Sequence, residues 1–184
     1  MTELASAAQL RDAYLRWALF LVPGVVLLGL LSGQFAGSGP GNPWFDGLTK
    51  PSTYPQPQVF GIVWTVLYVL MGVAIAMVAA ARGAAGRKPA VIAFAFQLVL
   101  NLAWSPTFFA GHQITGALAL IVVLDLAVLV TIALFWRVRP LAALLLAPYL
   151  AWILFATLLN YQFLEANPDA DGRAVAKPVQ RIEL

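Results

Sequence analysis

The polar residues best placed to bind a ligand lie inside an otherwise apolar stretch of the chain. Gln97, Asn101 and Trp104 recur at the spacing i, i+4, i+7, which places them on one face of a helix. An amide buried among apolar groups is costly unless a partner or a wet cavity satisfies it. This stripe therefore indicates either a binding pocket or a hydrogen-bonded contact between helices.

Two further stripes of the same pitch occur in other apolar runs. They comprise Trp64 and Tyr68 in one run, and Tyr149, Trp152, Ala156 and Asn160 in another. If the three stripes converge, they enclose a pocket with flat aromatic walls and a few amide groups, which suits a large planar apolar ligand. Ala156 would leave room in such a wall. The alternative is that these residues pack the helices together, with Asn101 and Asn160 bonded to each other or to backbone.

Asp125 and His112 are the remaining residues with chemistry to offer. Asp125 lies alone inside an apolar run, where a carboxyl group is either a proton site or ion-pair member, or a protonated group hydrogen-bonded in the bundle or facing a subunit interface. His112 is the only histidine, so two histidines of one chain cannot ligate a haem, and metal chemistry is nearly excluded. Because the sequence has no nucleophile–base arrangement and no phosphate-binding glycine loop, an enzyme is the less favoured class.

The composition indicates an integral membrane protein. Of the 184 residues, 61% are hydrophobic and 10% are charged, and the mean hydropathy is +0.84; soluble domains are less apolar and more charged. The net charge of +3 does not indicate nucleic-acid binding, because the basic residues lie between the apolar runs as orienting charges do. The chain has no cysteine, which excludes disulfide and thiolate chemistry.

Five apolar runs are long enough to cross a bilayer as helices. We predict an all-α integral membrane protein, a bundle of five transmembrane helices at about residues 15–35, 57–81, 89–109, 116–136 and 141–164. Residues 1–14 form a lead-in, with a signal peptide as the alternative interpretation of the start of the chain. Residues 165–184 are polar and are predicted to be disordered. Pro106 is expected to kink or end the third helix.

Residues 36–56 differ from the runs around them and are called the lid loop below. Their density of proline and glycine forbids a continuous helix, and Trp44, Phe45 and Tyr54 favour a functional loop that lies over the bundle. Short loops on one side carry seven Lys and Arg residues, against one on the other. This bias places the N-terminus on the inner side and the lid loop on the outer side.

Three segments resemble a known family. They read WFxxLxKP then VFxxxWTxxYxxMG over 44–72, LNxAWxPxFF over 100–109 and PYLAWxxFAxxLNY over 148–161. In order and spacing they resemble the translocator protein family (TspO/MBR, the tryptophan-rich sensory proteins). The resemblance implies a five-helix bundle, usually dimeric, that binds porphyrins such as protoporphyrin IX and synthetic benzodiazepine- or isoquinoline-type ligands under its first loop.

The resemblance also implies a set of ligand-binding residues. Carried over position by position, they are Trp44, Trp64, Tyr68, Asn101, Trp104, Trp152 and Ala156, and the stripes add Gln97, Tyr149 and Asn160. We expect a porphyrin ligand with no required cofactor and no metal, a homodimer in the lipid bilayer, and a bacterial envelope membrane, either inner or outer. Gly29, Gly33 and Gly37 are either the dimer contact or packing residues within the monomer.

The chain departs from the family at two places. Thr53, Gln56 and Gln58 stand where the family often has Trp, Pro and Trp, so loop contacts to a ligand are expected to be weaker. No basic residue follows Tyr161 where animal members have the pattern tied to sterol binding, which makes a sterol partner less favoured.

The expected function is binding of porphyrins and similar planar apolar ligands, for tetrapyrrole transport, handling or sensing. Two alternatives stay open. One is light-dependent breakdown of bound porphyrin, which the tryptophans permit. The other is small-solute or proton-linked transport that uses Asp125.

Overall fold

The computed structural model describes residues 7–173, and within that range the chain forms helices and no strand. The helices are α1 (Ala7–Phe35), α2 (Pro43–Gly47), α3 (Pro57–Ala80), α4 (Arg87–Ser105), α5 (Ile114–Val138), α6 (Pro140–Leu145) and α7 (Ala147–Ala166). Five segments are long and apolar enough to span a membrane: α1, α3, α4 together with the turn that follows it (Pro106–Ala110), α5, and α6 together with α7. The predicted all-α bundle of five transmembrane helices is therefore confirmed.

Pro106 changes the helical repeat of the third span, close to where the sequence predicts a kink. α4 ends at Ser105 and continues as a π-helical turn, Pro106–Ala110. Proline has no N–H to donate to the carbonyl of Leu102, and its ring crowds that carbonyl. The Leu102 oxygen instead accepts a hydrogen bond of 2.6 Å from the hydroxyl of Ser32 on α1. The Leu102 carbonyl, to which Pro106 cannot donate, thus links α4 to α1.

Several elements differ from the prediction. α1 begins at Ala7 rather than near residue 15, and the predicted fifth helix is divided at Leu146 into α6 and α7, with Pro148 in the first turn of α7. The lid loop contains the short helix α2. Residues 165–173 depart from the predicted disordered tail, because α7 extends to Ala166 and the following turns bond to other parts of the protein. The remainder of the predicted tail lies outside the described residues.

The contact between α1 and α3 changes along its length. A Cβ atom on Gly72 would lie 2.6 Å from the Cα atom of Val22, so the two backbones touch there. Farther along, the ring of Tyr68 fills the place that a Cβ atom on Gly29 would take, at 2.2 Å. Gly29 thus packs within the monomer, one of the two roles that the glycine series allowed. Nearer the lid loop, a Cβ atom on Gly61 would have nothing within 4 Å, and one on Gly33 only the Ser38 hydroxyl, at 3.9 Å.

Two buried apolar clusters lie along the bundle. The larger includes Met71, Ile75 and Val128, and the smaller, beneath the lid loop, includes Phe45 and Phe108. Burial of large apolar and aromatic side chains fixes the helices around both clusters.

Gly72→Leu should destabilise the bundle, because a side chain at this position meets the backbone of α1 and forces the two helices apart. We expect the free energy of unfolding in mixed micelles to fall by about 1–3 kcal/mol. Gly24→Leu is the control, since it adds the same side chain to α1 where nothing lies within 4 Å. Equal unfolding free energies for the two variants would contradict the close contact.

Candidate ligand-binding site

A cavity of about 820 Å³ lies beneath the lid loop, between α1, α3, α4, α5 and α7. Pockets for small molecules have volumes of about 300–1,000 Å³. Aromatic rings form much of its wall: Phe45, Tyr54, Phe60, Trp64, Tyr68, Trp104, Phe108, Phe109 and Phe163. α1 and the start of the lid loop contribute five glycines together with small or uncharged side chains. Much of the remaining wall consists of flat rings.

The structure brings six of the ten predicted site residues to the wall of this cavity. They are Trp64, Tyr68, Asn101, Trp104, Ala156 and Asn160. The four that lie outside the wall are Trp44, Gln97, Tyr149 and Trp152. Each of these four residues contacts the wall residues, the lid loop or one another, and they support the cavity without facing it.

A chain of hydrogen bonds across three helices forms the floor of the cavity. Tyr68 Oη donates to Asn101 Oδ1 at 3.2 Å, and Asn101 Nδ2 donates to Tyr149 Oη at 3.1 Å. Tyr149 Oη then donates to Gln97 Oε1 at 3.0 Å. Gln97 and Tyr149 are almost completely buried, and Gln97 Nε2 has no partner among the described residues. Both side chains lie behind Asn101 and hold its amide in place.

A second pair of bonds fixes the wall formed by α4. Trp104 Nε1 donates to Asn160 Oδ1 at 3.1 Å, and Asn160 Nδ2 donates to the carbonyl of Ile114 at 3.1 Å. The Trp104 ring also stacks on Phe108, with centroids 5.1 Å apart and planes inclined by 19°. Asn160 therefore does bond to backbone, as the packing alternative proposed, yet it lines the cavity as well.

Trp152 and the lid loop meet at Phe60. The Trp152 ring lies edge-on to Phe60 at 5.7 Å and contacts Phe155 at 5.4 Å. Its indole N–H is buried without a hydrogen-bond partner in the described part of the chain. Phe60 lines the cavity and stacks on Tyr54 of the lid loop at 5.3 Å. Trp152 thus supports the cavity wall from behind Phe60.

Trp44 fastens the lid loop to the far side of the bundle. Its ring is buried and stacks on His112, with centroids 4.7 Å apart and planes inclined by 19°. Its indole N–H donates to the carbonyl of Ala170 at 3.4 Å. His112 has a φ of 55°, which is unusual for a residue other than glycine, and its carbonyl accepts from the Gly172 amide at 2.7 Å. This tryptophan is a lid anchor.

Asn42 and Lys50 hold the shape of the lid loop. Asn42 caps α2, because its Oδ1 accepts from the amides of Trp44 and Phe45 at 3.1 Å, and its Nδ2 donates to the carbonyl of Phe109 at 3.3 Å. Lys50 Nζ donates to the carbonyls of Phe45 and Leu48 and lies 4.4 Å from the Phe45 ring centre. Burial lowers the pKa of Lys50, and the nearby Asp46 carboxylate partly offsets this.

The turns after α7 bind the lid loop and the start of α5. Thr49 N donates to Asn167 Oδ1 at 2.7 Å, and Asn167 Nδ2 donates back to the Thr49 carbonyl at 3.0 Å. The Thr53 hydroxyl donates to Gln162 Oε1. Thr53, one of the departures from the family pattern, is therefore a loop anchor and does not line the cavity.

Asp125 is buried between α5 and α7 and does not line the cavity. Its Oδ2 accepts a hydrogen bond of 2.8 Å from the Thr157 hydroxyl, while its Oδ1 has no partner within residues 7–173. This geometry agrees with a carboxyl group hydrogen-bonded within the bundle, one of the roles considered from sequence.

Six aromatic wall residues were missing from the predicted set: Phe45, Tyr54, Phe60, Phe108, Phe109 and Phe163. Phe60 precedes the predicted Trp64 by four residues and Phe108 follows the predicted Trp104 by four, so the same helical periodicity places them on the predicted faces. Tyr54 lies in the lid loop, where no periodicity applies. Asn42 immediately before Pro43 is a helix-start signal that could have identified α2.

Comparison with known sequences agrees with this architecture. The sequence pattern of the TspO/MBR family matches residues 19–165. The chain belongs to the TspO/MBR family. The predicted resemblance is thereby confirmed, and family membership together with the five spans shows a multi-pass integral membrane protein.

Relatives in the TspO/MBR family come from distant organisms. The tryptophan-rich protein TspO of Chlorobaculum tepidum is 40% identical over 142 residues, which cover 73% of this chain and 88% of that protein. The translocator protein of Homo sapiens is 42% identical over 135 residues, covering 70% and 80%. The tryptophan-rich sensory protein of Cereibacter sphaeroides is 37% identical over 124 residues, covering 67% and 77%.

Asp171 links the last described turn to α5, and its ionisation should control that link. Its Oδ1 accepts from the amides of Ile114 and Thr115 at 2.6 and 3.2 Å. Partial burial raises the pKa of Asp171, but the hydrogen bonds from Thr115 and Ile114 outweigh it and leave the pKa lowered. A folded-state pKa below the unfolded value stabilises the link at neutral pH, and this stabilisation disappears as the pH falls through the lowered pKa.

At neutral pH, Asp171→Ala should therefore speed hydrogen exchange of the Ile114 and Thr115 amides, because a helix cap is worth about 1 kcal/mol. The difference from wild type should vanish in acid. Asp169→Ala is the matched control, since this exposed carboxylate forms an ion pair with Arg173, at 3.9 Å. Unchanged exchange in Asp171→Ala at neutral pH would show that the cap does not hold α5.

Proposed function

We propose that this membrane protein binds porphyrins resembling protoporphyrin IX, and similar planar apolar ligands, in the cavity beneath the lid loop. The binding would serve tetrapyrrole transport, handling or sensing. The observation that supports this proposal is a cavity walled by Trp64 and Trp104 on two different helices, with the amide of Asn101 in its floor. Among the relatives, one is called a translocator protein and another a tryptophan-rich sensory protein, names that agree with transport or sensing.

The aromatic wall is suited to a flat ligand because its rings are already fixed. Trp64 stacks on Tyr68 with centroids 5.3 Å apart and planes inclined by 25°. Trp104 is stacked on Phe108 and hydrogen-bonded to Asn160. Rings that are ordered before binding lose little side-chain entropy when a ligand stacks on them. Large apolar area and ring stacking then provide most of the affinity.

The polar groups of the floor can orient a ligand without dominating its binding. Asn101 accepts from Tyr68 and donates to Tyr149. A side-chain amide has two N–H groups and two lone pairs on oxygen, so Asn101 retains one donor and one acceptor for a ligand heteroatom. Such a small number of placed polar groups in an apolar pocket is typical of small-molecule sites.

Titration with protoporphyrin IX tests this proposal through saturable quenching of tryptophan fluorescence. Trp64→Ala should weaken binding about tenfold, because it removes a stacking surface. Ala156→Leu should weaken it by a similar factor, because the added side chain occupies the cavity while every aromatic ring remains. Trp136→Ala and Ala151→Leu are the matched controls, since both residues are exposed on the outside of the bundle and neither lines the cavity.

Two results would count against the proposal in different ways. If wild-type protein shows no saturable quenching, the porphyrin assignment is wrong. If it binds porphyrin but Trp64→Ala and Ala156→Leu match their controls, the ligand occupies another surface.

A further inference from the structure

We propose that ligands reach the cavity sideways from the membrane, through a gap between α1 and α3, and that the site selects ligands without charge on the part it encloses. This gap, the lateral opening, is bordered by Leu30 and Gln34 of α1 and by Pro57 and Gly61 of α3. The inference rests on the proposed function, because it assumes that the cavity is the ligand site.

The lateral opening exists because α1 and α3 carry glycines where they border the cavity. The backbones meet at Val22 and Gly72, and Tyr68 closes the space against Gly29. Beyond that point, a Cβ atom on Gly61 would have nothing within 4 Å, and one on Gly33 would have only the Ser38 hydroxyl, at 3.9 Å. Since glycine contributes no side chain, Gly33 and Gly61 leave a gap at this place.

The gap connects the cavity to the outside of the bundle. Leu30, Gln34, Pro57 and Gly61 all line the cavity, and all four are also exposed, Leu30 by 46%. They belong to the spans 11–35 and 57–80, near the ends of those spans that join the lid loop. The lateral opening thus faces the bilayer at the outer part of its apolar layer.

Residues 37–43 of the lid loop also line the cavity and are largely exposed, but the lid loop is fastened on several sides. Asn42 bonds to Phe109, Trp44 to Ala170, and Thr49 exchanges two hydrogen bonds with Asn167. Entry from above would break these bonds and expose the buried ring of Phe45. Entry through the lateral opening breaks none of them.

The chemistry of the wall agrees with entry from hydrocarbon. Within residues 7–173, every residue that lines the cavity has an uncharged side chain. A carboxylate enclosed there would lose its hydration without gaining a cation, which is strongly unfavourable. An apolar ligand dissolved in the bilayer pays no such cost. Any charged edge of a ligand must therefore remain at the lateral opening, beside Gln34.

A single reporter cysteine tests the lateral opening without any porphyrin. The chain has no cysteine, so Ser105→Cys places one thiol at the cavity wall. In proteoliposomes, uncharged N-ethylmaleimide should label this thiol, whereas a sulfonated, anionic maleimide should label it at least about tenfold more slowly. Adding Gly61→Phe, which places a ring in the gap, should slow labelling by N-ethylmaleimide about tenfold.

Two further variants complete the experiment. Gly24→Phe is the matched control, because Gly24 also has open space but does not line the cavity, and it should leave the rate unchanged. Gly33→Leu narrows the gap from the α1 side and should slow labelling even if Gly61→Phe folds poorly. Equal rates in the Gly61→Phe, Gly33→Leu and Gly24→Phe backgrounds would overturn the lateral opening, and so would equal rates for the two reagents.

The porphyrin titration and the labelling experiment distinguish failure of the proposed function from failure of the proposed route. If labelling follows the expected pattern but wild-type protein does not bind protoporphyrin IX, the proposed function is wrong and the route into the cavity stands. If porphyrin binds but the labelling rate is the same with and without Gly61→Phe or Gly33→Leu, the proposed route is wrong and the binding site stands.

Discussion

Amides and hydroxyls buried in a membrane protein must bond to other protein groups, and this requirement determines how the bundle is built. Water is absent from the hydrocarbon layer, so an unpaired polar group there is costly. Tyr68, Asn101, Tyr149 and Gln97 largely meet the requirement by bonding to one another in series across α3, α4 and α7, with only Gln97 Nε2 among the four left without a partner in the described part of the chain. The chain ties these helices together at one level. Below it lies the larger apolar cluster, and above it the helices can separate around a cavity.

The cavity above that level is stabilised by backbone and loop interactions. Pro106 frees the Leu102 carbonyl for Ser32 of α1, which keeps α1 beside α4. The lid loop closes the top through its own capped helix and through bonds to the turns after α7. These contacts stabilise the walls of a cavity of small-molecule size. The aromatic rings around it are held by stacking and by the bond between Trp104 and Asn160.

Periodicity in the sequence predicted the five spans and the stripes on three of them, because a helical face repeats every three to four residues. Periodicity did not predict which side chains of a stripe line the cavity and which lie behind its wall. Gln97 and Asn101 share a stripe, yet Asn101 lines the cavity while Gln97 lies behind it. Likewise, Ala156 lines the cavity while Tyr149 lies behind its wall. Which member of a stripe faces open space depends on the distance between helices, and that distance depends on Gly72 and Pro106 together with their partners far away in sequence. Trp44 illustrates the same limit, since its partners His112 and Ala170 are distant in the chain.

The polar floor and the aromatic walls enclose the same cavity, and a ligand bound in that cavity can be observed directly. A density map of the protein with bound protoporphyrin IX should show the macrocycle against Trp64 and Trp104, above an unbroken bond between Tyr68 and Asn101. Porphyrin density confined to the lipid-facing surface, with the cavity empty, would contradict this account.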